Sequence, residues 1–464
     1  MNMDSKPQAS SGIASVAECD AFLEAHPEIE NVQIFFTNQS GVPRGKNLRR
    51  RDIRAVFENA RMLPGTMLAL DINGEDVEAS GFVMSDGDAD RLGKPVPGTF
   101  TKAPWLGADF AQVMLSVYEL DGSPCDTDPR HVLKSVIDRF KEFDLTPVIA
   151  CELEFYLIDR AVTASGTRQG PASPITGHRS KHDQAYGLRE LDDFQPFMND
   201  VYAFGEAAGL PLESAISENA PGQLEVGLVH RADALRATDE AAIFKRVVKG
   251  TAMRHGVEAT FMAKPHNNLA GSGQHLHVSL NDRSGKNVFA GDDDLLRHAI
   301  GGMKALLAES MAIFAPNANS YKRFQANLYA PVAPTWGVNN RTVSFRVTAG
   351  SASSRHIEHR ICGADANSTL AVAALLAAIH HGLKHRIDPG PPIEGDGYTL
   401  AAEQGLSLPR HWNQTLDAFE GSTLLRDYLG ARFHRMFTAI KRAEYDRFYG
   451  QVTELDYEWY LRNA

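Results

Sequence analysis

Apolar residues recur along this chain with two periods, and turn residues mark where one gives way to the other. Residues 15–25 carry helical spacing, after which Val32, Ile34 and Phe36 alternate with mostly polar neighbours, the pattern of a half-buried strand. Asn38 to Gly41 is turn chemistry, so this strand is predicted to return as a hairpin. Residues 73–104 are rich in Gly, Asp and Pro and read as loops on a small β-rich domain. Asp128-Pro129-Arg130 then opens a helix, because aspartate caps free amides and proline fits a first turn. Val132, Leu133, Val136, Ile137 and Phe140 follow at helical spacing. The pattern divides the chain into an N-terminal tail and helix (1–24), a small domain (25–124) and a large one (125–464).

In the large domain, strands are predicted over 147–158 and near 222–229, 257–263, 274–281, 341–348 and 356–362. Helices are predicted over roughly 191–208, 232–255, 292–315 and 364–385, and the end from Leu416 to Leu461 is largely helical. Residues 160–187 form a long polar stretch, a length of loop that is usually mobile or functional.

Composition narrows the class. A chain of 464 residues, 43% hydrophobic and 23% charged, is ordinary for a soluble globular protein with one large and one smaller domain. A net charge of -11 argues against a nucleic-acid footprint, and the one basic run, Arg49-Arg50-Arg51, is broken by Asp52. Cys19, Cys125, Cys151 and Cys362 are scattered, which suggests neither a zinc knuckle nor a disulfide framework and makes a reducing compartment the default. Met1 to Asp20 is polar and lacks a signal-peptide core, and the apolar run Leu370 to Ile379 falls far short of the ~20 residues that span a bilayer. A soluble, cytoplasmic protein is expected.

The informative feature is where ionisable residues sit. In Cys151-Glu152-Leu153-Glu154-Phe155 two carboxylates share one face of a strand with strongly apolar flanks. Like charges held there are costly unless cations neutralise them. Glu218 precedes a Pro-Gly turn, after which Gln223 and Glu225 face one way. His275, His277 and Ser279 share a face after the glycine loop Gly271-Ser272-Gly273, and Glu358 and Arg360 share another, with Arg341 and Arg346 just upstream. Five carboxylates, a histidine and several arginines thus converge on one curved sheet. Hard oxygen ligands in that number suit Mg2+ or Mn2+, and adjacent arginines suggest phosphoryl chemistry. The segment Gly41 to Lys46 is one residue short of a P-loop, and Asn47 replaces its Ser or Thr, so it reads as a hairpin turn.

In these residues the sequence resembles the glutamine synthetase superfamily over nearly its whole length. The ordered set is Glu152-Leu153-Glu154, Ala220-Pro221-Gly222-Gln223-x-Glu225, Lys264-Pro265, Gly271-Ser272-Gly273-x-His275-x-His277, Asn319-Ser320-Tyr321-Lys322-Arg323, Asn340-Arg341 and Glu358-x-Arg360. Within the superfamily it looks most like γ-glutamylputrescine (γ-glutamylpolyamine) synthetases, from Asn38 to Lys46, Ala69 to Gly74, Trp336 to Arg341 and Gly363 to Asn367. The resemblance implies an α+β fold: a small N-terminal β-grasp domain, and a catalytic domain with a curved antiparallel sheet flanked by helices. It implies rings, as dodecamers, with each site between one catalytic domain and a neighbour's N-terminal domain. By matching motif positions, Glu154, Glu218 and Glu225 would hold the metal nearer glutamate, and Glu152, His275 and Glu358 the metal nearer ATP, with two or three ions per site. Arg323 and backbone at Gly271 would hold glutamate; Arg341 and Arg360 would cover the transferred phosphate, Arg360 also touching substrate; His277, Ser279, Arg346 and Arg355 would lie on the ATP side. The implied reaction joins the γ-carboxyl of L-glutamate to an amine through a γ-glutamyl phosphate.

The sequence departs from the ammonia-using members. The segment Leu63-Pro64-Gly65-Thr66-Met67 lacks their ammonium-binding aspartate, and Tyr329 stands where they have a flap glutamate. Losing both anions favours an organic amine, putrescine or another polyamine ahead of monoamines. The loop Pro265-His266-Asn267-Asn268-Leu269 has no acid, and His356 replaces an ATP-side arginine. The alternatives are a glutamine synthetase that uses ammonia, and a catalytically silent scaffold.

Overall fold

The computed structural model describes residues 12–164 and 166–464, so residues 1–11 of the expected tail, and residue 165 of the polar stretch, lie outside the described residues. The expected first helix is Val16–Ala25, and Ser15 caps it by accepting from the Glu18 amide at 3.2 Å. Six strands follow: β1 (Asn31–Thr37), β2 (Pro43–Arg49), β3 (Arg61–Pro64), β4 (Asp90–Pro95), β5 (Thr101–Lys102) and β6 (Phe110–Tyr118). They form one sheet in the order β2-β1-β6-β4-β3, with β5 also on β6. The hairpin forms as expected, and Gly45 is required in it, since a Cβ there would lie 1.9 Å from the Ile34 carbonyl oxygen. The stretch 73–104 is not all loop. It contains β4 and β5, which pair with β6, a strand whose nearly unbroken apolar run shows no alternation because both of its faces are buried.

The larger sheet comprises β7 (Thr146–Asp159), β8 (Leu212–Ser217), β9 (Gln223–Leu228), β10 (Val257–Thr260), β11 (Gln274–Asn281), β12 (Trp336–Val338), β13 (Phe345–Val347) and β14 (Ile357–His359). Their order is β12-β13-β14-β11-β7-β9-β8, with β10 on β7. Every pair in it is antiparallel, as expected, except the short edge pair β12 with β13. The predicted strand 341–348 shrinks to β13, because Asn340 turns the chain by accepting from the Thr342 amide at 2.9 Å. The strand predicted over 356–362 stops at His359, which leaves Arg360 just beyond it. The helices expected over 191–208 and 292–315 are each two, Leu188–Asp193 with Gln195–Ala207 and Asp293–Ala305 with Leu307–Phe314.

Behind this sheet the helix Ser368–His385 is buried along most of its length, capped by Asn367 on the Thr369 amide at 2.9 Å. The helix Ala431–Tyr449 fastens the two sheets together. Its Met436 and Ile440 enter the core of the first sheet beside Val32, Ile34 and Ile53. Its Lys441 and Glu444 form a buried ion pair at 2.8 Å, and Glu444 also accepts from the Ile72 amide at 2.9 Å and Ser40 Oγ at 3.2 Å. On the other side, the Arg246 guanidinium lies 4.2 Å from the Phe35 ring and donates to Gln33 at 2.6 Å. Among the described residues no helix is long and apolar enough to cross a membrane.

Candidate active site

Five adjacent strands of the larger sheet, β13, β14, β11, β7 and β9, carry the ionisable cluster. Strand pairing sets His275 opposite Glu152, Glu225 opposite Glu154, and both His277 and Arg346 opposite Glu358. Alternation along each strand then brings these side chains to one face, as the sequence pattern implied. His275 Nδ1 lies 2.7 Å from Glu152 and 3.6 Å from Glu358, and its Nε2 lies 3.6 Å from Glu154. The candidate ligand atoms of Glu152, Glu225 and His275 all fall within 4.8 Å of one another, a separation a divalent ion can bridge. Glu218 sits in the turn before β9, where its amide donates to the Gln223 carbonyl at 2.9 Å. Gln223 Nε2 in turn donates to Glu154 at 3.3 Å and to the Gly271 carbonyl at 3.1 Å.

Electrostatics divide the cluster into two halves. Burial and then the Glu218 charge push Glu154 up to about 8; burial, then Glu152, Glu154 and Glu218, push Glu225 up to about 11; burial and Glu152 raise Glu218. Burial also opposes ionisation of Glu358, but Arg360, His275 and His277 outweigh it and hold it down to about 2. Glu152 is likewise held well below the usual range, because bonds to His275 and His277 outweigh its burial. Three crowded carboxylates that resist ionising together form a site that lacks positive charge, which a bound cation would supply.

The arginines frame this face. Arg323 is buried, donates to the carbonyls of Ile361 at 2.8 Å and Arg360 at 3.1 Å, and packs so closely on Gly271 that a Cβ there would lie 2.6 Å from Arg323 Cγ. Arg360 is also buried, pairs with Glu358 and reaches the Tyr329 carbonyl at 3.3 Å; Arg346 holds the other Glu358 oxygen at 2.7 Å. Arg341 is exposed beyond β12, near enough for its charge to lower Glu218. Tyr329 takes a left-handed backbone (φ 54°) and exposes its ring, so it is the carbonyl that meets Arg360. Arg355 is set apart from the carboxylates and pairs with Asp293.

Ser279 lines an open cavity with His230, Lys286, Asn287 and His356. His277 lies 3.5 Å from Glu152 Oε2 and 2.9 Å from His356. His230, directly after β9, has no motif of its own in the sequence; only the fold brings it beside the other two histidines. Two acids do lie against the segment 63–67 in space. Thr66 Oγ1 donates to Asp76 at 2.8 Å and its amide to Asp88 at 3.2 Å, two residues remote in the chain that the sequence reading passed over. In the acid-free loop 265–269, Lys264 donates to the Leu269 carbonyl and His266 Nε2 is buried without a partner.

The description of a glutamine synthetase catalytic domain matches residues 126–460, which take in every residue of the cluster. The chain belongs to the glutamine synthetase family. It is 37% identical over 98% of its length, and 96% of the relative's, to the γ-glutamylputrescine synthetase of Escherichia coli. It is 31% identical to a glutamate–isopropylamine ligase of a Pseudomonas species, covering 90% of this chain and 92% of that one. It is also 31% identical to the γ-glutamylethanolamide synthetase of Streptomyces coelicolor, over 95% and 94%. Among solved structures, the GmaS complex with ADP superposes with a TM-score of 0.82 at 29% identity, covering 95% of this chain and 98% of that one.

Proposed function

We propose that this family member is an ATP-dependent ligase that joins the γ-carboxyl of L-glutamate to an organic amine, with putrescine or a longer polyamine favoured. The observation that carries the reading is the division of one carboxylate cluster into two electrostatic halves beside buried guanidinium groups. Glu154, Glu218 and Glu225 would form the site nearer glutamate, and Glu152, His275 and Glu358 the site nearer ATP. Two or three Mg2+ or Mn2+ ions there would supply the positive charge that phosphoryl transfer needs.

Each protein group then has a definite task. A carboxylate resists attack by an amine because it is anionic and has no good leaving group, so its γ-oxygen must first take the terminal phosphoryl group of ATP. Arg323 and the backbone at Gly271 would orient glutamate for that step, and Arg341 and Arg360 would stabilise charge on the moving phosphoryl group. His277, Ser279, Arg346 and Arg355 would face the nucleotide. Tyr329, which carries no carboxylate where the ammonia-using members have a glutamate, would border the amine side. A neutral amine then attacks the acyl phosphate and releases phosphate. The E. coli relative's name supports a diamine. So do Asp76 and Asp88 beside Thr66, if rings bring a neighbour's small domain (25–124) against this catalytic domain (125–464).

Phosphate release with glutamate, ATP and a panel of ammonia, monoamines, putrescine and spermidine tests the reading. Putrescine or spermidine is expected to give the highest kcat/KM. Ammonia as the best acceptor would overturn it.

A further inference from the structure

Three imidazoles from three separate segments converge at the edge of the carboxylate cluster. His277 comes from β11, His230 from just after β9 and His356 from just before β14. One ring nitrogen of each lies within 4.8 Å of the other two. His277 Nδ1 and His356 Nε2 face each other at 2.9 Å. The His230 ring centroid is 5.1 Å from that of His356 and 5.8 Å from that of His277, and His230 is exposed enough to turn towards them.

The outer nitrogens decide what the inner ones can do. His356 Nδ1 lies 2.7 Å from the Ser354 carbonyl oxygen, which only accepts, so Nδ1 carries the hydrogen and Nε2 presents a lone pair. His277 Nε2 faces Glu152 Oε2 at 3.5 Å, an anionic acceptor that orients its hydrogen outward in the same way. With both outer nitrogens so committed, His277 Nδ1 and His356 Nε2 face each other across 2.9 Å, close enough to share one ion. A cation shared between the two nitrogens, whether a proton or a metal ion, satisfies both. An imidazole whose far N–H is held by a carboxylate or a backbone carbonyl is also the usual posture of a metal-ligating histidine.

We propose that His230, His277 and His356 form a separate all-nitrogen site for one borderline divalent transition ion, Zn2+ foremost, with its fourth position open to the cavity lined by Ser279, Lys286 and Asn287. Three imidazoles with a vacant fourth position are a tetrahedral Zn2+ donor set, whereas Mg2+ prefers oxygen and sheds water reluctantly. The open position would take an anionic oxygen of whatever enters that cavity. This site stands on the geometry of the three rings, and it shares His277 and Ser279 with the nucleotide side of the proposed reaction.

The test is Co2+ titration of the full chain, stripped with chelator and then saturated with Mg2+ so that the carboxylate cluster is filled. We expect one equivalent of Co2+ to give the intense visible bands of tetrahedral nitrogen coordination, and Zn2+ to abolish them. His230→Ala and His356→Gln should each weaken that binding at least roughly tenfold, with unchanged far-ultraviolet dichroism, while Glu225→Gln keeps it. Weak octahedral bands alone, or bands unchanged in both histidine variants, would overturn the assignment. Should His356→Gln unfold, His230→Ala alone decides.

Discussion

Glu154 and Glu225 face each other across the β7–β9 ladder, and their shared surroundings push the first carboxyl up to about 8 and the second up to about 11. Without a cation, both therefore hold protons at neutral pH. Binding of Mg2+ must expel them, so apparent affinity should rise from pH 6 to about 8, and the binding heat should vary with the buffer's ionisation enthalpy. Calorimetry in two buffers should return roughly one to two protons released per site. Zero release would contradict the electrostatic picture.

Glu225 and Glu358 should answer amide substitution in opposite senses. The folded value of Glu225 lies far above an unfolded reference of about 4.3, so ionisation opposes folding as pH rises through that window. Glu358 lies below its reference, at about 2, so its stabilising effect is complete above about 4.3 and is lost only as pH falls through 2. In chelator at pH 7, Glu225→Gln is expected to raise the denaturation midpoint. Glu358→Gln, which strips the carboxylate from Arg346 and Arg360, should lower the unfolding free energy by about 3–5 kcal/mol in guanidinium titrations.

A methyl group at residue 271 should act on glutamate rather than on ATP. The added Cβ would sit 2.6 Å from both the Ala263 carbonyl oxygen and Arg323 Cγ, so the Arg323 side chain must shift. Gly271→Ala is expected to raise the KM for glutamate roughly tenfold or more, about 1.4 kcal/mol, with the KM for ATP changed little. A rise confined to ATP would place Arg323 elsewhere in the mechanism.

The buried Lys441–Glu444 pair couples the helix Ala431–Tyr449 to the small domain through Ser40 and Ile72. Glu444→Ala would leave Lys441 as an uncompensated buried charge and should cost about 3–5 kcal/mol in chemical denaturation. Adding Lys441→Met should recover most of that loss. If the double variant is as unstable as the single one, the carboxylate's bonds to Ser40 and Ile72 matter more than the charge.

The sequence by itself determined the side of the larger sheet that carries chemistry. Residues two apart on a strand must share a face, so Glu152 with Glu154 and His275 with His277 were legible as pairs. Helix caps at Asp128 and the hairpin at Asn38 to Gly41 were equally legible, because their signals are local. Strand β6 escaped because burial on both faces erases alternation, and β13 was overextended because the Asn340 side-chain turn, not periodicity, delays its start. Only the tertiary structure decided which strands are neighbours. That choice opposed Glu225 to Glu154, set Asp76 and Asp88 against Thr66, and gathered His230, His277 and His356. Pairing between remote strands depends on packing summed over the whole sheet, and no local run of residues encodes it.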